Sequence, residues 1–226
     1  MKNRIHNIRD FLFPKTCINC KKTGAYLCID CKKLLDPHTE ECPYCHKFSP
    51  HYQTCINCRI DRHNALEGII IPFAYTDLTR ELILKLKYRH QKEIAEFLAQ
   101  RLANIFACNQ KISPENTIIT YTPGHRRKTH MVKGYNQAEV LAEHLSTITE
   151  IPLINLLSKP EATTSQVKLH KEQRMVNVLG KFHMNPQNPL KGNETIIVVD
   201  DITTTTSTLN EIALTIKHHM PLAKIR

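Results

Sequence analysis

Eight of the nine cysteines lie between positions 17 and 58, and all eight fall in C-x-x-C pairs: Cys17/Cys20, Cys28/Cys31, Cys42/Cys45 and Cys55/Cys58. Two intervening residues let both sulfurs of a knuckle reach one tetrahedral Zn2+ at about 2.3 Å, so four knuckles imply two zinc ions. The alternative, a disulfide framework, belongs to secreted chains. The opening MKNRIHNIRDFLFP has neither the continuous apolar core nor the cleavage site of a secretion signal. Zinc is therefore the expectation. Ligation in chain order would pair Cys17, Cys20, Cys28 and Cys31 in one site and Cys42, Cys45, Cys55 and Cys58 in another, as in a double zinc ribbon. A cross-braced arrangement stays open, because knuckle spacing does not fix connectivity. Residues 1–64 hold few large apolar side chains, so metal must supply much of their folding energy.

Charge points to an anionic partner. The 226 residues carry 31 Lys and Arg against 21 Asp and Glu, a formal net charge of +10. Eight thiolates around two Zn2+ would bring residues 1–64 close to neutral, which leaves the excess on the remainder. There the basic residues cluster: Lys85, Lys87, Arg89, His90 and Lys92; then Arg126, Arg127, Lys128, His130 and Lys133; then Lys168, His170, Lys171 and Arg174. Each group alone reads as a solvated face, whereas three together suit a polyanion. No apolar run approaches the roughly 18 to 20 residues of a bilayer span, so no transmembrane segment is expected.

Composition changes after Cys58, which places a boundary near residue 64: a zinc-binding domain over 1–64 and a second domain over 65–226. In the second, Leu78, Leu82 and Leu86, then Ile94, Phe97, Leu98, Leu102, Ile105 and Phe106, recur at helical spacing and predict two helices. Cys108, next to that face, is expected to be a small buried hydrophobe. Residues 117–122 read as a strand ended by Pro123-Gly124, and 136–148 as a helix with Asn136 as N-cap. Further strands are expected over 151–157, 180–184 and 195–199, and a helix over 207–219. The 195–199 run Thr-Ile-Ile-Val-Val is β-branched and continuous, as in a parallel strand buried on both faces. The fold class is α/β.

Chemistry concentrates where that strand ends. Asp200 and Asp201 are followed by Thr203, Thr204, Thr205, Thr206, Ser207 and Thr208 at the start of a helix. Helix N-terminal amides and hydroxyls favour a phosphate, and adjacent carboxylates can accept hydrogen bonds from sugar hydroxyls. Together they describe a ribose 5-phosphate site. The plain alternative makes the same residues caps and turn formers.

Val198-Val199-Asp200-Asp201-Ile202-x-Thr204-Thr205-x-x-Thr208 resembles the phosphoribosyl pyrophosphate (PRPP) motif of type I phosphoribosyltransferases. Over nearly the whole chain, FLFPKTCINC at 11–20, Leu86-Lys87-Tyr88-Arg89 and Lys133-Gly134-Tyr135-Asn136-Gln137 are similar to signatures of ComF-type competence proteins. Gln166, Arg174, Asn177, Gly180 and Phe182 fall where that family carries such residues. The resemblance implies a type I phosphoribosyltransferase-like parallel sheet with helices on both faces, preceded by the double zinc ribbon. It implies that Asp200 and Asp201 hold ribose hydroxyls, that residues 203–208 wrap the 5-phosphate, and that Gly124, His125, Arg126, Arg127 and Lys128 form the pyrophosphate loop, with Mg2+ accompanying PRPP.

The chain departs from the family in two places. Thr206 stands where Gly is usual, so either the loop takes another path or a strained β-branched residue sits at positive φ. The edge strand that normally follows the last helix is expected to be short or missing.

The function implied is natural transformation: handling single-stranded DNA at the cytoplasmic side of the inner membrane, peripherally placed, with a competence helicase or inner-membrane DNA channel as a partner. Lys85, Lys87, Arg89, Lys133, Lys168, Lys171 and Arg174 are the DNA-contact candidates, and Tyr44, Tyr52 and Tyr135 could stack on bases. The alternative function is a catalytically active phosphoribosyltransferase of nucleotide salvage, whose transfer activity PRPP recognition alone does not establish.

Overall fold

A computed structural model of the protein describes residues 14–61, 63–86, 92–109, 112–124, 136–159, 181–185, 190–203 and 206–226. The helices are α1 (Ile29–Lys32), α2 (Ile56–Arg59), α3 (Asp77–Leu86), α4 (Lys92–Cys108), α5 (Gln137–Thr149) and α6 (Ser207–His219). The strands are β1 (Thr117–Tyr121), β2 (Leu157–Ser158), β3 (His183–Met184), β4 (Thr195–Val199) and β5 (Lys224–Ile225).

The α/β architecture is built around β4. It lies between β1 and β5, parallel to both, with Tyr121 opposite Val199 and Thr195 opposite Lys224. Alternation along β4 divides the core into two layers. Ile197 and Val199 pack with α3, α4 and α5, while Ile196 and Val198 pack with α6. Each layer is closed by a helix stripe, for example Leu141 and Leu145 of α5 on one side and Ile212 and Ile216 of α6 on the other. This two-sided burial is why the central strand needs an unbroken β-branched run.

Extended segments widen the sheet at both edges. Beyond β1, Ile119 donates to the Pro152 carbonyl at 2.8 Å and accepts from Ile154 at 2.9 Å. The strand expected over 151–157 is thereby reduced: Pro152 offers no amide, pairing is confined to the bridge between Ile119 and Leu153, and only Leu157 continues as β2, antiparallel to β3. Of the 180–184 strand, His183–Met184 is paired. At the other edge Glu67 donates to the Ile225 carbonyl at 2.7 Å. The closing strand β5 is short, as expected.

Helices α3 and α4 match the apolar periodicity, and Asn136 caps α5 by accepting from the Ala138 amide at 3.1 Å. Cys108 corrects the sequence reading. It is exposed, because two residues past Phe106 the helix has turned by about 200° away from the buried stripe.

The cysteine-rich segment packs on the α/β layer. Cys17, Leu27, Cys31 and Leu35 share a core with Leu82, Leu98 and Phe73. Residues 66–69, just past the expected boundary near 64, are bound from both sides: Thr54 donates to the Glu67 carbonyl at 2.9 Å and Ile69 to the Tyr52 carbonyl at 3.0 Å, while Glu67 donates to Ile225 of β5. Gly68 is required there, since a Cβ would lie 2.2 Å from the Tyr52 carbonyl oxygen.

Candidate functional site

The eight knuckle cysteines form two groups in chain order, Cys17, Cys20, Cys28 and Cys31, and Cys42, Cys45, Cys55 and Cys58, with all sulfurs of a group within 4.8 Å of one another. Cross-bracing is thereby excluded. Cys20 and Cys28 sulfurs are 3.6 Å apart and Cys45 and Cys55 sulfurs 3.7 Å apart, close to the ~3.8 Å edge of a tetrahedron with 2.3 Å metal–sulfur bonds. The chemistry of each set also calls for a cation. Burial alone would raise the Cys17 and Cys42 thiols, but backbone amides, chiefly from Cys28 and Cys20 in one set and from Cys45 and Cys55 in the other, bring both down to about 6. Burial, and then the crowding of Cys55, Cys45 and Cys42, drives Cys58 up to about 12. Four thiolates cannot coexist at such distances unaided, and a divalent metal resolves the conflict. The donor set fits zinc.

The acid pair sits at the C-terminal end of β4. Because β1 and β4 are parallel and in register, their ends open on the same edge, where Thr122 donates its amide to the Val199 carbonyl at 2.9 Å. Gly124, the one described member of the predicted pyrophosphate loop, lies two residues beyond that Thr122 bond and is exposed. Burial, and then the Asp201 charge, pushes the Asp200 carboxyl up to about 7. The Asp201 amide donates to Asp200 Oδ1 at 2.9 Å, and the buried Thr122 hydroxyl faces the same carboxylate and favours its charged form. Two adjacent carboxylates, one reluctant to ionise, make a site suited to diol donors or a cation.

Thr203 follows, and then α6 begins after Thr206. Thr206 has φ −70° and ψ 2°, so the loop takes a path open to any residue and the strain expected of a β-branched side chain is absent. Ser207 and Thr208 form the exposed first turn of α6, where helical amides have no intrahelical partner. Thr204 and Thr205 lie outside the described residues, as do His125, Arg126, Arg127 and Lys128. So do the DNA-contact candidates Lys87, Arg89, Lys133, Lys168, Lys171 and Arg174, while Lys85 is half-buried in the last turn of α3.

Two features escaped the sequence reading. A cavity of about 230 Å3 abuts Asp200, Asp201 and Thr203, with apolar walls from Ile69, Ile71, Phe73, Leu98 and Leu102. The run 68–75 that builds one wall is visibly apolar, but nothing local says that it faces the strand end. Tyr44, expected as an exposed stacking aromatic, is partly buried: its hydroxyl donates to Asn210 Oδ1 at 2.6 Å and accepts from the Leu66 amide at 2.8 Å. Burial holds its phenol neutral, pushed up to about 12. Tyr52 is half-buried, and Tyr135 lies outside the described residues.

No protein-family model matches the chain. It is similar to Competence protein F of Haemophilus influenzae, 29% identical over 213 residues, covering 89% of this chain and 90% of that protein. It is similar to Competence protein ComFC of Bacillus subtilis, 23% identical over 195 residues, covering 84% and 77%. DNA utilization protein YhgH of Escherichia coli K12 is 24% identical over 209 residues, covering 88% and 89%. With two four-cysteine clusters leading into an α/β layer, the chain is similar over 84 to 89% of its length to these competence and DNA utilization proteins.

Proposed function

We propose that this protein acts on incoming DNA during natural transformation and carries a PRPP-binding site at the C-terminal edge of its sheet. The names of its relatives support the first part. The observation that carries the second is the Asp200–Asp201 pair, placed where β4 ends, beside the end of β1 and ahead of the α6 N-terminus. Asp200 and Asp201 would accept from the ribose hydroxyls, and Thr203, Thr204, Thr205, Thr206, Ser207 and Thr208 would donate to the 5-phosphate, aided by the first-turn amides of α6. Gly124, His125, Arg126, Arg127 and Lys128 would border the pyrophosphate. Mg2+, when bound with PRPP, would neutralise phosphate charge while keeping most of its water. Two Zn2+ ions in the four-cysteine clusters would hold residues 14–61 in register.

The DNA partner we infer is single-stranded, bound by the basic groups on the 65–226 part of the chain. Binding of that kind weakens with salt, log K falling by about 0.7 for each phosphate neutralised. No helix among the described residues is long and apolar enough to cross a membrane. The site of action we infer is the cytoplasmic face of the inner membrane, beside a DNA channel or helicase. The discriminating experiment measures transformation frequency and single-stranded DNA affinity together in an Asp200→Ala, Asp201→Ala double variant. We expect transformation to fall with DNA affinity retained, and unimpaired transformation would refute a role for the pocket.

The apolar cavity beside the acids favours a second reading, phosphoribosyl transfer to a ring-bearing acceptor. It predicts pyrophosphate release from PRPP with a nucleobase or amine, and a blank screen of such acceptors would count against it.

A further inference from the structure

The two four-cysteine clusters are attached to the fold in different ways. The first leans on the apolar layer through Cys17, Leu27 and Cys31, with Lys32 over the Phe97 ring of α4. The second is wired by hydrogen bonds to the helix that follows the acid pair. Tyr44 stands between Cys42 and Cys45, and its hydroxyl donates to Asn210 Oδ1 at 2.6 Å. The same Oδ1 accepts from the Ala65 amide at 2.8 Å, and Asn210 Nδ2 donates to the His63 carbonyl at 2.7 Å. Neighbouring Asn64 donates to the carbonyl of Cys58, itself a member of the cluster, at 2.8 Å. Both knuckles of the second cluster thus converge on one side chain.

Asn210 lies in the first turn of α6. Its amide closes that turn on the Thr206 carbonyl at 2.7 Å, which sets the start of the helix. The geometry therefore runs from the Cys42–Cys45 knuckle, through Tyr44 and Asn210, to Thr206 and the hydroxyl-bearing first turn of α6. A metal that fixes the Cys42–Cys45 turn fixes the Tyr44 hydroxyl, and with it the helix start.

We propose that Tyr44 and Asn210 are positioning residues that couple metal occupancy of the second cluster to phosphopentose binding between the Asp200–Asp201 pair and the Thr206–Thr208 start of α6. The proposal rests on the PRPP reading above and adds a dependence that reading does not require. Coupling between two sites is reciprocal: if the metal tightens PRPP, PRPP must tighten that metal by the same factor. The first cluster has no such wiring among the described residues and serves as an internal control.

The test follows zinc release from the full-length, zinc-loaded chain to a chromogenic chelator, with and without Mg2+ and PRPP, alongside calorimetric PRPP binding. In the wild type, PRPP slows the release of one zinc ion several-fold and leaves the other unchanged. Tyr44→Phe, which removes one oxygen atom, abolishes that protection and weakens PRPP by about five- to tenfold, the scale of one buried hydrogen bond. Asn210→Leu behaves likewise. Asn210→Asp keeps the acceptor for Tyr44 and Ala65 but loses the donor to the His63 carbonyl, and it restores part of the protection that Asn210→Leu removes, a rescue that a general packing defect would not show. The proposal is overturned if PRPP binds the wild type yet slows neither ion, or both equally, or if Tyr44→Phe keeps the protection. Absence of PRPP heat in the wild type would overturn the phosphosugar reading itself, and the coupling with it.

Discussion

Replacing Asp200 by Asn should stabilise the unliganded protein and abolish the phosphosugar binding proposed above. In the folded chain burial and the Asp201 charge lift the Asp200 carboxyl from 3.8 to about 7. The folded state therefore holds this proton more tightly than the unfolded state, and stability declines as pH rises from the unfolded value through the folded one. The shift of roughly three units corresponds to about 4 kcal/mol as an upper bound. Asn cannot ionise, and its Oδ1 can still accept from the Asp201 amide, the bond that Asp200 makes at 2.9 Å. Measured by urea denaturation without Mg2+, the advantage of Asp200→Asn over wild type should grow by about 2 kcal/mol between about pH 5.5 and about pH 8. Titration of the cysteine clusters is common to both proteins and cancels in the difference. A variant whose relative stability is flat across that range, or falls, would refute the argument that Asp200 is held against its own ionisation for function.

Three other perturbations test separate parts of the fold. Asn136→Ala removes the α5 cap and the bond from Asn136 Nδ2 to the Thr122 carbonyl at 2.9 Å; a loss of about 1 to 2 kcal/mol in denaturant unfolding is expected. Gly68→Ala forces a methyl onto the Tyr52 carbonyl and should cost about 1 to 3 kcal/mol while loosening residues 50–55 in hydrogen exchange. Atomic absorption should find two zinc ions per chain, lost together with thermal stability on chelation, whereas Cys108→Ser should keep both ions and shift stability by less than about 0.5 kcal/mol.

What the sequence made legible was local. The knuckle spacing, the 195–199 run and the Asn136 cap each express a period or a pairing of near neighbours, and the structure realises them almost residue for residue. The acid pair was legible too, because strand, carboxylates and helix start are consecutive. The bond between Tyr44 and Asn210 joins residues 166 positions apart, and no pattern on either side announces it. A Tyr inside a knuckle looks like an exposed aromatic until its hydroxyl finds a distant partner. The cavity wall at 68–75 was hidden for the same reason. Where local reading overreached, at 151–157 and at Cys108, a proline without an amide and the helical turn decided against it.

The central claim is that the carboxylates at the end of β4 grip an anionic pentose. Isothermal titration of the zinc-loaded wild type with PRPP and Mg2+, set against the Asp200→Ala, Asp201→Ala double variant, tests it most directly. The account predicts saturable one-to-one binding to the wild type and none to the variant, and equal heats for the two proteins would contradict it.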